Sequence, residues 1–253
     1  MPGTRRRRNR AAAATLATFP IPVRALSIDA LRGFAIVAMI AYHFAFDLRY
    51  FGVIDADFEN GAFWLASRAA IVGTFLLVVG TSLVLASRNK VPATRFLRRI
   101  GVVAACAVLA SAGSYFIYPQ TFIYFGILHC IVVASLIARP LANRPRVALA
   151  LGLAIIGAGL TWSHPTFDTR LTSWIGFTTQ KPPTQDFVPL APWLGVVLLG
   201  IAAGHALLVR QWSLLVALDR APHLLRWMGR HSLFIYMVHQ PILMGVLWLL
   251  LRR

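Results

Sequence analysis

Ser27-Ile-Asp29-Ala-Leu-Arg32-Gly33-Phe-Ala-Ile-Val-Ala-Met-Ile-Ala-Tyr42-His43-Phe-Ala-Phe-Asp47 decides the fold. The segment is long and apolar enough to cross a bilayer as one helix. Ten residues separate Arg32 from His43, and none of them is charged. At about 100° per residue, eleven steps return both side chains to nearly one face, roughly 16 Å apart along the axis. Asp29 stands one turn before Arg32 and Asp47 one turn after His43, so the four form a single stripe. Ionisable groups in hydrocarbon are costly, and they normally face a bundle interior where they mark a pathway or a site.

The rest of the chain agrees with a membrane bundle. Of 253 residues, 58% are hydrophobic and only 13% charged, with a mean hydropathy of +0.69. A soluble domain carries nearer one-quarter charged residues. Long apolar runs also exclude a β-barrel, whose strands alternate polar and apolar residues over short segments. The expected fold is therefore all-α, a polytopic bundle of about seven spans at roughly 30–47, 63–86, 100–118, 121–138, 147–163, 190–209 and 231–250. Residues 1–26 read as a disordered basic tail touching anionic lipid, and 27–253 as one transmembrane domain.

The net charge of +17 is topological. Between the predicted spans, 19 Lys and Arg residues fall on one side and 5 on the other, while Arg68 lies inside span two. The positive-inside rule puts the N-terminus in the cytoplasm and the C-terminus outside. Most acidic residues fall on the opposite side from the bulk of the arginines, so nucleic acid is not an expected partner. Cys106 and Cys130 sit in apolar spans without disulfide or metal spacing, and both read as packing residues. The long connection 164–189 either covers a site or is mobile. Part of 210–230, with Trp212, Leu214, Leu215, Val216 and Leu218 beside Arg220 and Arg226, reads as an interfacial amphipathic helix.

The chemistry-bearing residues follow from the stripe. A carboxylate on one nitrogen of an imidazole fixes its tautomer and raises the basicity of the other, which makes His43 a candidate general base and Asp47 its orienter. Arg68 has two readings. It neutralises Asp47, or it stabilises negative charge on a reacting oxygen. Asp29 and Arg32 read as a helix-start ion pair, since acidic residues favour that end. His129 in span four, and Tyr236 and His239 on the polar face of span seven that begins at Ser232, either line the site or make core hydrogen bonds. His205 reads as structural.

Ser27-Ile-Asp29-Ala-Leu-Arg32-Gly33 with His43 and Asp47 resembles the start of small bacterial proteins grouped with the catalytic domain of heparan-α-glucosaminide N-acetyltransferase. Phe75–Ser82, Phe125–His129, Pro189–Gly195 and Ser232–Pro241 are similar to later landmarks of that family, so the resemblance spans most of 24–250. The spacing of Arg32 and His43 also resembles the motif of the membrane acyltransferase-3 group. The resemblance implies transfer of an acyl group, acetyl above all, from cytosolic acyl-CoA to an amine or hydroxyl of a sugar-containing acceptor across the membrane. Arg32 and Asp29 would then hold the acyl-CoA end, with no metal. The animal lysosomal enzyme carries its proposed catalytic histidine in the following loop. Here Leu48–Gly61 contains no histidine, so the role would fall to His43.

The implied setting is the cytoplasmic membrane of a bacterium. The partners are membrane lipid, acyl-CoA and a sugar or glycolipid acceptor, with a homodimer as one arrangement. The competing reading is a small transporter whose stripe conducts substrate or protons without CoA.

Overall fold

The computed structural model describes residues 26–209 and 216–251. The tail expected at 1–26 therefore lies almost wholly outside the described residues, as do Trp212, Leu214 and Leu215 of the expected interfacial helix. The described chain is helical: α1 Leu26–Tyr50, α2 Ala62–Arg88, α3 Ala93–Ile117, α4 Ile127–Ala138, α5 Pro145–Thr161, α6 Leu190–Val209, the short α7 Val216–Asp219, α8 His223–Arg230 and α9 Ser232–Leu251. No strand occurs among the described residues, where the nearest approach to one is an isolated parallel bridge between Phe125 and Phe187.

Local chemistry accounts for the ends. Asp29 in the first turn of α1 and Arg49 in the last complement the helix dipole. Pro145 opens α5, where its fixed φ suits the first helical position and its missing N–H is not needed. Pro241 lies inside α9 and leaves the carbonyl four residues earlier without its usual donor.

Five helices, α1, α2, α3, α6 and α9, are long and apolar enough to cross a membrane. The other two apolar stretches are shorter. α4 has 12 residues and α5 has 17. At ~1.5 Å per residue, α4 covers only about 18 Å of a hydrocarbon layer near 30 Å. The span expected at 121–138 thus begins six residues late, because 121–125 pairs with the long connection instead. Val188 N–H donates to Phe125 O at 3.2 Å and Gln185 N–H to Thr121 O at 2.9 Å. The Thr184 hydroxyl donates to Phe122 O at 2.8 Å.

Small residues set the packing. α2 crosses α6 where Gly80 faces the Val197 carbonyl and Gly200 faces the Leu77 carbonyl. A side chain at either position would collide with backbone. α5 and α6 meet at Gly152 and Gly195. Such contacts let helix backbones approach closely in lipid, where van der Waals contact replaces the hydrophobic drive. The Thr81 hydroxyl reinforces the first crossing by reaching Gly200 O at 3.1 Å. Leu76, Val84, Val197, Leu198 and Ile201 fill the core between α2, α4 and α6. α3 buries only Ala107 and leaves Leu97, Val102, Val108 and Phe116 on an exposed apolar face.

The 162–189 connection is ordered by its own bonds. Asp168 accepts from Thr179 N–H at 2.7 Å and from its hydroxyl at 2.6 Å. Those bonds, the side-chain one first, hold the Asp168 carboxyl below its ordinary value. A depressed carboxyl stabilises the fold above its ordinary pKa and ceases to do so as pH falls through the folded value. Hydrogen-exchange protection of the peptide around Thr179 should therefore persist at neutral pH and fall only below about pH 4. Asp168→Asn should weaken that protection already at neutral pH. Equal protection in the variant at neutral pH would show that the loop is held by other contacts.

Candidate active site

α1 and α9 bring together the groups that matter. The rings of His43 and His239 lie edge to face, with centroids 4.9 Å apart. Asp47, one turn beyond His43, is 1% exposed. Its Oδ1 accepts from Gln240 Nε2 at 2.8 Å. Tyr236 stands beside His239, ring centroids 5.6 Å apart.

The tautomer of His239 follows from its partner. Nδ1 lies 2.6 Å from the Tyr236 carbonyl oxygen. A carbonyl only accepts, so Nδ1 carries the proton and Nε2 of the neutral ring presents a lone pair. That Nε2 is buried without a partner, and so are His43 Nδ1, Asp47 Oδ2 and Gln240 Oε1. Buried polar atoms are nearly always hydrogen-bonded, so four such atoms on two neighbouring helices mark this place as the candidate site.

This geometry corrects the expected pairing. Asp47 does not orient His43, because Gln240 from α9 holds one of its oxygens and the other has no partner. Nor does Arg68 neutralise Asp47: no ion pair to Asp47 exists among the described residues. Arg68 lies instead within electrostatic reach of Asp186 and Tyr42, and Lys181 of the long connection within reach of Asp186. Asp186 accepts from Ile127 N–H at 2.8 Å, capping α4, and its carboxylate also interacts with the Tyr236 hydroxyl. The connection thereby reaches the histidine pair through Asp186 and Tyr236. Tyr118 adds a further group near Asp47.

His129 has a structural engagement. In the first turn of α4 its Nδ1 accepts from Gly126 N–H at 3.2 Å, and its Nε2 lies 3.3 Å from Ser111 Oγ. Both nitrogens are thus occupied, which fits the core-bonding reading. His205 likewise bonds the Ala142 carbonyl at 2.8 Å.

At the other end of α1, Asp29 is 2% exposed and lies 3.2 Å from Arg32 and 3.7 Å from Arg230. Arg32 also donates to Ser82 Oγ at 2.6 Å. α8 packs tightly here, with Gly229 against the Asp29 carbonyl and Gly33 against the Leu225 carbonyl. Val216 and Leu218, expected in an interfacial helix, belong to the short α7, which packs beside α1. Among the described residues the inner cluster carries two guanidinium groups around one carboxylate, about 16 Å from His43 along α1.

Sequence reasoning missed Gln240, Asp186 and Arg230. Gln240 and Arg230 flank the polar segment of span seven, and that adjacency was the available signal for both. For Asp186 the sequence offers none beyond a carboxylate in a long loop.

Among the described residues, no group of three or more His, Cys, Asp or Glu side chains is arranged to hold a metal ion. The sequence model of the family described as heparan-alpha-glucosaminide N-acetyltransferase, catalytic, matches residues 24–241. The chain belongs to this family. The match runs from the segment preceding α1 to Pro241 and so includes both the inner cluster and the histidine pair. Neither the curated proteins nor the solved structures compared with the chain match it. The heparan-α-glucosaminide N-acetyltransferase family is a transferase family, and this member combines that relationship with five helices able to cross a membrane.

Proposed function

We propose that the protein is a multi-pass acetyltransferase of a bacterial cytoplasmic membrane. It moves an acetyl group from cytosolic acetyl-CoA to an amine or hydroxyl of a sugar-containing acceptor on the far side. The observation that carries this reading is the His43–His239 pair, with one imidazole lone pair fixed by the Tyr236 carbonyl and unpartnered acceptors around it. Family membership favours a transferase over a transporter with the same buried groups.

In this reading Arg32 and Arg230 hold a CoA phosphate, and the extended pantetheine arm carries the thioester along α1. Asp29 keeps the two guanidinium groups in register. Asp47 Oδ2 or Gln240 Oε1 accepts from the second N–H of an acceptor amine, or from a neighbouring hydroxyl of the sugar, and so orients the reacting group while leaving its transferred proton to His239. His239 Nε2 takes its proton as the nitrogen or oxygen attacks the thioester carbon. His43, as an N–H donor, hydrogen-bonds the carbonyl oxygen while negative charge develops there. The tetrahedral intermediate collapses by breaking the carbon–sulfur bond, and the proton held by His239 passes to the departing thiolate. Tyr236, Arg68 and Lys181 shape the acceptor side.

Sidedness is tested in proteoliposomes sorted by orientation, with labelled acetyl-CoA supplied to the face bearing residues 88–99 and a panel of amino-sugars enclosed on the other. Labelled, acetylated sugar inside is the expected product. Acetylation that requires donor and acceptor on the same face would overturn the transmembrane reading.

A further inference from the structure

A cavity of about 160 Å³ lies at the arginine-rich end, away from α1, lined by Leu83, Ser87, Lys90, Phe96, Arg139 and Ala142 among others. It is formed where the end of α2 and the start of α3 meet the turn after α4. Its geometry is held in place. The Arg139 guanidinium lies over the Phe96 ring at 4.0 Å, and the Ser87 hydroxyl donates to Asn143 at 2.8 Å. Lys90 sits in the left-handed region with φ 49°, an uncommon conformation for a residue other than glycine.

Charge and shape together specify an occupant. The two connections at this end, 88–99 and 139–146, contain eight Lys and Arg residues and no Asp or Glu. Lys90 and Arg139 therefore face the cavity with no carboxylate among its lining residues. Apart from Ser87 its other walls are apolar, and Leu97 and Val102 continue the exposed apolar face of α3. A soluble ligand of nucleotide size needs a pocket of roughly 300–1,000 Å³. This cavity is smaller, and it opens where a bilayer presents headgroups. We propose that it binds the phosphodiester of an anionic phospholipid, with Lys90 and Arg139 on the phosphate and the acyl chains lying along α3. Basic pockets between membrane helices are known to take such headgroups.

Native mass spectrometry of the full chain from detergent tests this, with phosphatidylglycerol and phosphatidylcholine as competing probes. The wild type should retain phosphatidylglycerol selectively. Lys90→Gln/Arg139→Gln should lose that selectivity by roughly tenfold or more, whereas Arg144→Gln/Arg146→Gln, which removes the same charge outside the cavity, should change it less than about twofold. The single variant Lys90→Gln leaves the Arg139–Phe96 contact in place and should lose at least half of the effect. Equal losses in the two double variants would reduce the attraction to diffuse charge and overturn the site. Complete displacement by millimolar inorganic phosphate would make the cavity a soluble-anion site and overturn the lipid assignment.

Discussion

His239→Ala, purified in detergent and folded, should lose acetyl transfer by about 10²–10⁴-fold while still binding acetyl-CoA. The expected size follows from the role. A positioned base whose lone pair is fixed by a partner contributes about that much to a proton-transfer step. Nδ1 bonds the Tyr236 carbonyl, so no rotation about that bond is needed before Nε2 can act. His43→Ala should also fall steeply, because its ring lies against that of His239. Gln240→Ala should lower transfer less, since it removes one hydrogen bond from Asp47 and leaves the carboxylate in place. CoA thiol release with the best acceptor of an amino-sugar panel is the measurement. Transfer by His239→Ala within about threefold of wild type would remove His239 from the chemistry, given the magnitude a general base supplies.

Gly80→Leu should be among the most destabilising single changes in the helical core. A Cβ at this position meets the Val197 carbonyl and the backbone of Gly200, neither of which can rotate away. Overpacking of this kind costs on the order of 3 kcal/mol, and in α2 it would separate the helices that enclose the core. Gly73 offers the control, because a Cβ there meets nothing within 4 Å. Gly73→Ala should be neutral or stabilising by up to about 1 kcal/mol, because the added Cβ meets no neighbour and Ala is the better helix former. Thermal unfolding in detergent, followed by tryptophan fluorescence, separates the two variants. Equal midpoints would mean that α2 and α6 do not cross at Gly80.

Much of this was legible from periodicity. The run from Ser27 to Asp47 specifies a helix, and the structure forms one over Leu26–Tyr50 with Asp29 and Arg32 paired near its start. Local spacing does not reveal what lies opposite. Asp47 stands one turn from His43, so the sequence suggests that pair, yet its partner is Gln240, 193 residues away. The same limit applies to Asp29, whose second guanidinium arrives on α8 as Arg230. The late start of α4 has a different cause. Thr121–Phe125 is apolar enough to extend a span, but its backbone groups bond to residues 184–188, and Asp186 supplies a cap at Ile127. Tertiary partners thus decided a boundary that hydropathy alone places too early.

The most direct measurement is binding of acetyl-CoA to the detergent-purified protein, compared with Arg32→Ala and His239→Ala, with folding checked by thermal unfolding. The expected dissociation constant lies within about 1 μM–1 mM, weakened at least about tenfold by Arg32→Ala and changed less than about twofold by His239→Ala. Absence of binding to folded wild type would contradict it and return the buried histidines to the transporter reading.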